Sequence, residues 1–193
     1  SVCRQVLLKI IYRKIKDPKT FGLIKEVVQS YKAKQIERER ESKNALQKGM
    51  PIGNLTSQIF ANIYLNELDR FVKHIIKPQS YIRYGDDFII IAKNHQELKQ
   101  NRNKIIKFIK DKLQLEINVK NDIIVKTRHG LKFLGVEIFP KGRRLNKRSR
   151  KRIRDRLTLG NISSYSGLVK QHSKKKIVKE LNWMVLDKIN ELN

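Results

Sequence analysis

Residues 81–92 read Tyr-Ile-Arg-Tyr-Gly-Asp-Asp-Phe-Ile-Ile-Ile-Ala, and no other stretch limits the fold so sharply. Aromatic and β-branched residues on both sides of Gly85-Asp86-Asp87 predict two short strands joined by a tight turn, where glycine supplies the permissive backbone. Two adjacent acids then stand at the tip of a hairpin built otherwise of Tyr, Ile and Phe. Like charges this close repel, and apolar flanks desolvate them. A divalent cation relieves both costs, and hard Mg²⁺ prefers carboxylate oxygen while leaving positions open for substrate phosphates. Gly-Asp-Asp by itself makes an ordinary polar turn, so the weight falls on its surroundings.

Upstream, Val6, Leu7, Ile10, Ile11 and Ile15 recur at helical spacing within residues 5–16, and Asp17-Pro18 separates them from a second helical stretch through Phe21, Ile24, Val27 and Val28. Residues 32–48 are highly charged and read as an exposed connector or short hairpin. Gly49-Met50-Pro51-Ile52-Gly53 then breaks regular structure. Asn54, Thr56 and Ser57 offer capping chemistry to a long helix carrying Ile59, Ile63, Leu68, Phe71 and Ile75, which Pro78 ends. Downstream of the hairpin, Leu98, Ile105, Ile109 and Leu113 predict a helix over 95–113. Ile117, Val119, Ile123 and Val125 alternate like a strand, and after a His129-Gly130 turn a second strand is expected through Phe133–Phe139. The order is helix, hairpin, helix, hairpin.

From Lys141 the composition changes, because residues 141–156 hold ten Lys or Arg and one acid, Asp155. The rest reads as helices through Leu157, around Tyr165 to Val169, and through Ile177, Leu181, Trp183, Leu186 and Ile189. Trp183 shares helical spacing with Leu186 and Ile189, which favours core packing over base stacking. Over all 193 residues, 44 Lys and Arg face 18 Asp and Glu, a formal net charge of +26. Such an excess calls for a polyanionic partner. Cys3 is the single cysteine and the four histidines are scattered, which excludes an internal disulfide and argues against structural zinc. No apolar run is long enough for a membrane span, so a soluble, cytoplasmic protein with no membrane partner is expected.

These residues carry a family resemblance. Tyr84-Gly85-Asp86-Asp87 between hydrophobic strands resembles the Tyr-X-Asp-Asp motif of reverse transcriptases. Gly49-Met50-Pro51-Ile52-Gly53-Asn54-Leu55-Thr56-Ser57-Gln58, with Ala61-Asn62-Ile63-Tyr64-Leu65-Asn66, resembles the template- and nucleotide-contacting loop-helix motif of the bacterial enzymes. Leu115-Glu116-Ile117-Asn118-Val119-Lys120 is similar to their following palm motif, Phe133-Leu134-Gly135 to their primer grip, and Ser164-Tyr165-Ser166-Gly167-Leu168 in its basic helical setting to their thumb. Motifs in this order make chance improbable. Most members, such as group II intron and retron enzymes, carry Gln-Gly-X-X-X-Ser-Pro in the loop-helix motif. Ile52 before Gly53 and Gln58 after Ser57 are instead similar to the reverse transcriptases of diversity-generating retroelements, whose cDNA synthesis is error-prone at template adenines.

The resemblance implies an α+β fold: a polymerase palm, residues 1–140, whose antiparallel β-hairpins pack on helices, followed by a small, basic helical thumb, residues 141–193. It implies that Asp86 and Asp87 hold Mg²⁺, two ions in the complete site, which activate the primer 3′ hydroxyl and stabilise the leaving pyrophosphate. Gly53, Asn54, Ser57 and Gln58 would contact template and incoming nucleotide, although Gly53 also suits a helix start and Ser57 and Gln58 an ordinary first turn. Tyr84 either lies along the primer terminus or packs in the core. Either Lys120 or the next position, Asn121, takes the place of the family's pyrophosphate lysine. Phe133, Leu134 and Gly135 would shape the primer grip. Arg83 either touches phosphate or makes a surface pair.

In the thumb, Arg143, Arg144, Lys147, Arg148, Arg150, Lys151, Arg152 and Arg154 would follow the nucleic-acid backbone, with Lys174-Lys175-Lys176 either extending that face or only solubilising the last helix. Implied partners are template RNA, the cDNA primer in an RNA–DNA duplex, dNTPs and a basic accessory protein. The family's third metal-binding Asp lies on an earlier palm strand, and Ser1–Leu8 resembles the stretch just after it. That strand and the fingers motifs are expected to be missing, with Asp69 a surface or capping acid rather than a substitute. This segment alone is then expected to polymerise weakly or not at all. The competing reading is a catalytically inactive RNA-binding remnant of a reverse transcriptase or maturase-like protein, and a ribosome-associated protein explains the charge without the motifs.

Overall fold

A computed structural model describes residues 2–30, 49 and 55–190. Two compact units are present, Ser1–Asp122 and Ile123–Asn193.

The first unit begins with α1, Arg4–Tyr12, and α2, Pro18–Gln29. Asp17 caps α2 by accepting from the Thr20 amide at 2.7 Å, with Pro18 at the first helical position, where its missing N–H is harmless. The charged segment 32–48 lies outside the described residues, as do Gly53 and Asn54. Helix α3, Leu55–Phe71, continues through a π-helical turn, Val72–Ile76, and stops at Lys77, which adopts a left-handed conformation (φ 51°) just before Pro78. Strands β1, Ser80–Tyr84, and β2, Asp87–Ile91, form the expected antiparallel hairpin. Asn94 then caps α4, His95–Leu113, through the Glu97 amide.

The core of this unit joins Leu7, Ile10 and Ile11 of α1 to Val28, to Tyr64, Leu68 and Val72, and to Ile105, Ile109 and Leu113. Phe71 and Phe108 stack with ring centroids 4.1 Å apart. The Tyr64 hydroxyl donates to the Leu113 carbonyl, binding α3 to the end of α4. Burial pushes the Tyr64 hydroxyl's pKa up to about 12. The hairpin contributes Tyr81, Phe88 and Ile90 to the same core.

The strand expected over Ile117–Val125 does not form. Asn118 turns the chain instead, its carbonyl accepting from the Asn121 amide at 2.9 Å and its side chain from the Lys120 amide at 3.1 Å. Arg102 of α4 fastens the far side of this turn by donating to both carboxylate oxygens of Asp122, the shortest contact being 2.6 Å. Alternation needs a neighbouring strand to become a ladder; among the described residues this segment has none, and Val119 is 85% exposed.

The second unit opens on a three-stranded antiparallel sheet, β3 Leu131–Phe133, β4 Val136–Phe139 and β5 Gly142–Leu145, in that spatial order. The single strand expected over 133–139 is thus a hairpin. Leu134 and Gly135 both take positive φ, 49° and 83°, as a two-residue type I′ turn requires. No apolar pattern announces β5, whose Gly-Arg-Arg-Leu has one apolar residue, Leu145, buried opposite Val136. Consequently the change in composition at Lys141 falls inside the sheet, whereas the compact units divide at Asp122.

Helices α5, Lys147–Arg156, α6, Ile162–His172, and α7, Lys175–Asn190, complete the unit. Val136, Leu145, Ile153, Leu157, Val169 and Leu181 form its core. Trp183 departs from expectation: it is 67% exposed, with Leu186 and Ile189 also exposed. Helix α7 carries two apolar faces, and the one that packs is made by Leu181, Met184 and Val185 with Ile177 and Val178.

Candidate active site

Antiparallel register sorts the β1–β2 hairpin into two faces. Tyr84 pairs with Asp87 and Ile82 with Ile89, while Arg83 pairs with Phe88 and Tyr81 with Ile90. Side chains opposite one another share a face, so the second set turns toward the helices and the first is left open. Tyr84, 67% exposed, is therefore not a core aromatic and stands beside Asp87 on the open face. Gly85 makes the turn at φ 61°, and Asp86 follows it. Both acids are exposed.

The turn is fastened from behind. Arg83 donates from Nε to Asp69 Oδ1 at 2.8 Å and from Nη2 to Asp69 Oδ2 at 2.6 Å, a bidentate pairing of guanidinium with carboxylate. Its Nη1 donates to the Gly85 carbonyl at 2.7 Å and to Asn62 Oδ1 at 3.2 Å. The Tyr81 hydroxyl donates to Asp69 Oδ1 at 2.7 Å. Of the two roles open to Arg83, pairing is the one observed. The pair is sheltered, with side-chain exposures of 12% and 20%, which corrects the surface or capping role expected of Asp69. Burial pushes the Asp69 carboxyl up, but hydrogen bonds from Arg83 and Tyr81 and the charges of Arg83 and Lys73 outweigh it and leave its pKa below the usual value. The bond to Asp69 raises Arg83 in turn, and burial together with the bond to Asp69 raises Tyr81. Asn62 and Asp69 lie seven residues apart and so on one face of α3, the signal by which the sequence could have shown this cluster.

Two carboxylates on one turn are hard oxygen donors that fit one side of a Mg²⁺ coordination sphere. Among the described residues, no group of three His, Cys, Asp or Glu side chains comes together to complete such a site.

The remaining candidates divide between the units. Ser57 lies half-buried and Gln58 exposed in the first turns of α3, while Lys120 and Asn121 are exposed in the Asn118 turn. Gly49 is anchored through its amide to the Val2 carbonyl at 2.8 Å, and its carbonyl accepts from Nε of the buried Arg4 at 3.2 Å. In the second unit, Leu134 is exposed on the hairpin turn and Phe133 half-buried. The Gly135 carbonyl accepts from the Asn146 amide and the Ser149 hydroxyl, each at 3.0 Å, and Asn146 caps α5. The hairpin turn and the basic helix are thus one structural piece. On α5, Lys147, Arg148, Lys151, Arg152 and Arg154 are exposed, while Ile153 is buried and Ser149 and Arg150 are half-buried. Arg143 is exposed, whereas Arg150 Nε is buried without a hydrogen-bond partner among the described residues and Arg144 pairs with Glu137 at 2.7 Å.

Residues 4–138 match the family model described as reverse transcriptase (RNA-dependent DNA polymerase). The chain belongs to the reverse transcriptase family. It is 26% identical over 194 residues to the group II intron-encoded protein LtrA of Lactococcus lactis subsp. cremoris, covering 68% of this chain and 32% of that protein. It is also 20% identical over 193 residues to a putative COX1/OXI3 intron 2 protein of Saccharomyces cerevisiae, covering 72% of this chain and 22% of that one. This reverse transcriptase chain therefore spans about a third or less of the length of those relatives. Its helices and antiparallel hairpins agree with part of a palm and thumb. Among the described residues, no helix is long and apolar enough to cross a membrane.

Proposed function

We propose that this chain supplies the catalytic turn and the duplex-gripping part of an RNA-directed DNA polymerase. The observation that carries the reading is the pair Asp86 and Asp87, exposed at the tip of a hairpin whose opposite face is anchored in the core. Divalent ions, two Mg²⁺ in the complete site, would supply Lewis-acid activation of the primer hydroxyl and neutralise charge on the leaving pyrophosphate. The protein's share is placement. Asp86 is the principal carboxylate and Asp87 its partner, and Tyr84, beside Asp87 on the open face, lies along the primer terminus. Gly53, Asn54, Ser57 and Gln58 receive template base and dNTP, Lys120 offers a cation to pyrophosphate, and Phe133-Leu134-Gly135 with the cations of α5 hold the primer duplex. Partners are template RNA, the cDNA primer and dNTPs. Ile52 and Gln58 favour the diversity-generating subgroup, with misincorporation concentrated at template adenines.

The test is Mg²⁺-dependent primer extension on an RNA template by the full-length protein. Asp86→Ala is expected to lower the rate by at least about 10³-fold, since it removes a ligand that acts on transition-state charge. Synthesis unchanged by that substitution would remove Asp86 from the chemistry and favour a nucleic-acid-binding role alone.

A further inference from the structure

Resting on that reading of Asp86 and Asp87, we infer that Arg83 is a positioning residue: with Asp69 it clamps the Gly85-Asp86-Asp87 turn to helix α3 and so sets where the two carboxylates stand. A two-stranded hairpin is marginal by itself, and a glycine at its tip adds freedom. Carboxylates that share an ion must nonetheless be held to within about 0.5 Å. Hydrophobic contacts of Tyr81, Phe88 and Ile90 anchor the body of the hairpin, but the turn itself needs its own restraint. Arg83 provides it with one planar group. Its Nε and Nη2 are engaged by both oxygens of Asp69, which fixes the plane of the guanidinium. That plane directs Nη1 to the Gly85 carbonyl at 2.7 Å, directly before Asp86, and to Asn62 two helical turns away from Asp69. Tyr81, bonded to the same Asp69 oxygen, closes the cluster.

Geometry also decides what Arg83 does not do. Its charge is matched by Asp69 and its side chain is sheltered, so it is not presented to phosphate. A lysine in its place would keep the charge and one bond to Asp69, but has no second, coplanar donor to reach Gly85 at the same time. Charge at position 83 and restraint of the turn are therefore separable by substitution.

The experiment compares Arg83→Lys, Arg83→Gln, Asp69→Asn and the double variant Asp69→Asn/Arg83→Gln with Asp86→Ala in the full-length protein. Readouts are single-turnover extension, the Mg²⁺ concentration giving half the maximal rate, primer–template Kd, thermal melting, and amide hydrogen exchange across residues 84–87. Arg83→Lys is expected to lower the rate about 10- to 100-fold, as small misplacements of reacting groups do. It should also raise the Mg²⁺ requirement and speed exchange at the turn, while primer–template Kd stays within about twofold. The double variant should be little worse than either single one. A folded Arg83→Lys with unchanged rate, Mg²⁺ requirement and exchange overturns the clamp, and so does a loss confined to primer–template affinity, which would make Arg83 a phosphate contact. If Asp86→Ala leaves synthesis intact, the functional reading falls instead, and hydrogen exchange still shows whether Arg83 restrains the turn.

Discussion

Gly130 and Gly85 both hold positive φ, 79° and 61°, but they stand in different surroundings. A Cβ on Gly130 would approach the Phe139 ring to 2.5 Å, while one on Gly85 meets nothing within 4 Å among the described residues. Gly130 also combines its φ with ψ near 153°, a region that side chains scarcely enter, whereas a φ of 61° lies in the left-handed range that other residues reach at modest cost. Gly130→Ala is therefore expected to lose about 2–3 kcal/mol, and Gly85→Ala about 1 kcal/mol, with equilibrium urea unfolding as the measurement. Equal losses would mean that the Phe139 contact and the unusual ψ contribute nothing. Both glycines were recognisable as turn residues from sequence, because each stands beside polar residues between two strand-like apolar stretches. Their different burdens were not, since Phe139 reaches Gly130 only once β3 and β4 pair.

Among elements, those with their own periodicity were the most legible. The helix over 95–113 and the hairpin around Gly85 formed where apolar spacing placed them. Failures occurred where pairing decides the structure: Ile117–Val125 alternates but meets no partner strand among the described residues, and β5 lacks alternation yet is held by β4. The hairpin at Leu134-Gly135 was hidden because leucine is a poor type I′ residue. That misfit is testable. Leu134 is exposed at φ 49°, a conformation asparagine tolerates and leucine does not favour. Leu134→Asn is expected to stabilise the protein by about 0.5–1 kcal/mol in thermal or urea unfolding. Extension should meanwhile weaken, if the exposed leucine grips the primer as proposed. Lower stability would show that the leucine side chain makes a folded-state contact worth more than the turn strain. The site itself was legible as an acidic turn but not as a clamped one, because Asp69 and Arg83 are fourteen residues apart and meet only when the hairpin folds back on α3.

At the scale of the whole molecule, the positive charge is less localised than the run after Lys141 suggests. Residues 123–193 hold 19 Lys and Arg against 5 acids, and residues 1–122 hold 25 against 13, so each unit carries close to half of the excess. What distinguishes the second unit is density, its 19 Lys and Arg standing in the shorter of the two stretches. Exposed Arg148 and Lys151 stand on α5 with a single acid, Asp155, in the helix. Arg144 donates to Glu137 at 2.7 Å and lies over the Phe139 ring. Binding to a nucleic-acid backbone draws its salt dependence from cations that displace counterions, and each phosphate contact removed lowers the slope of log K against log salt by about 1. Arg148→Ala and Lys151→Ala are each expected to produce that change for an RNA–DNA duplex, measured as binding between 50 and 200 mM salt, whereas Arg144→Ala, whose charge Glu137 already compensates, should change it much less. A slope that falls equally for all three would mean that Glu137 releases Arg144 to the duplex. A slope that Arg148→Ala and Lys151→Ala leave unchanged would put the nucleic-acid face elsewhere, despite the density of charge on α5.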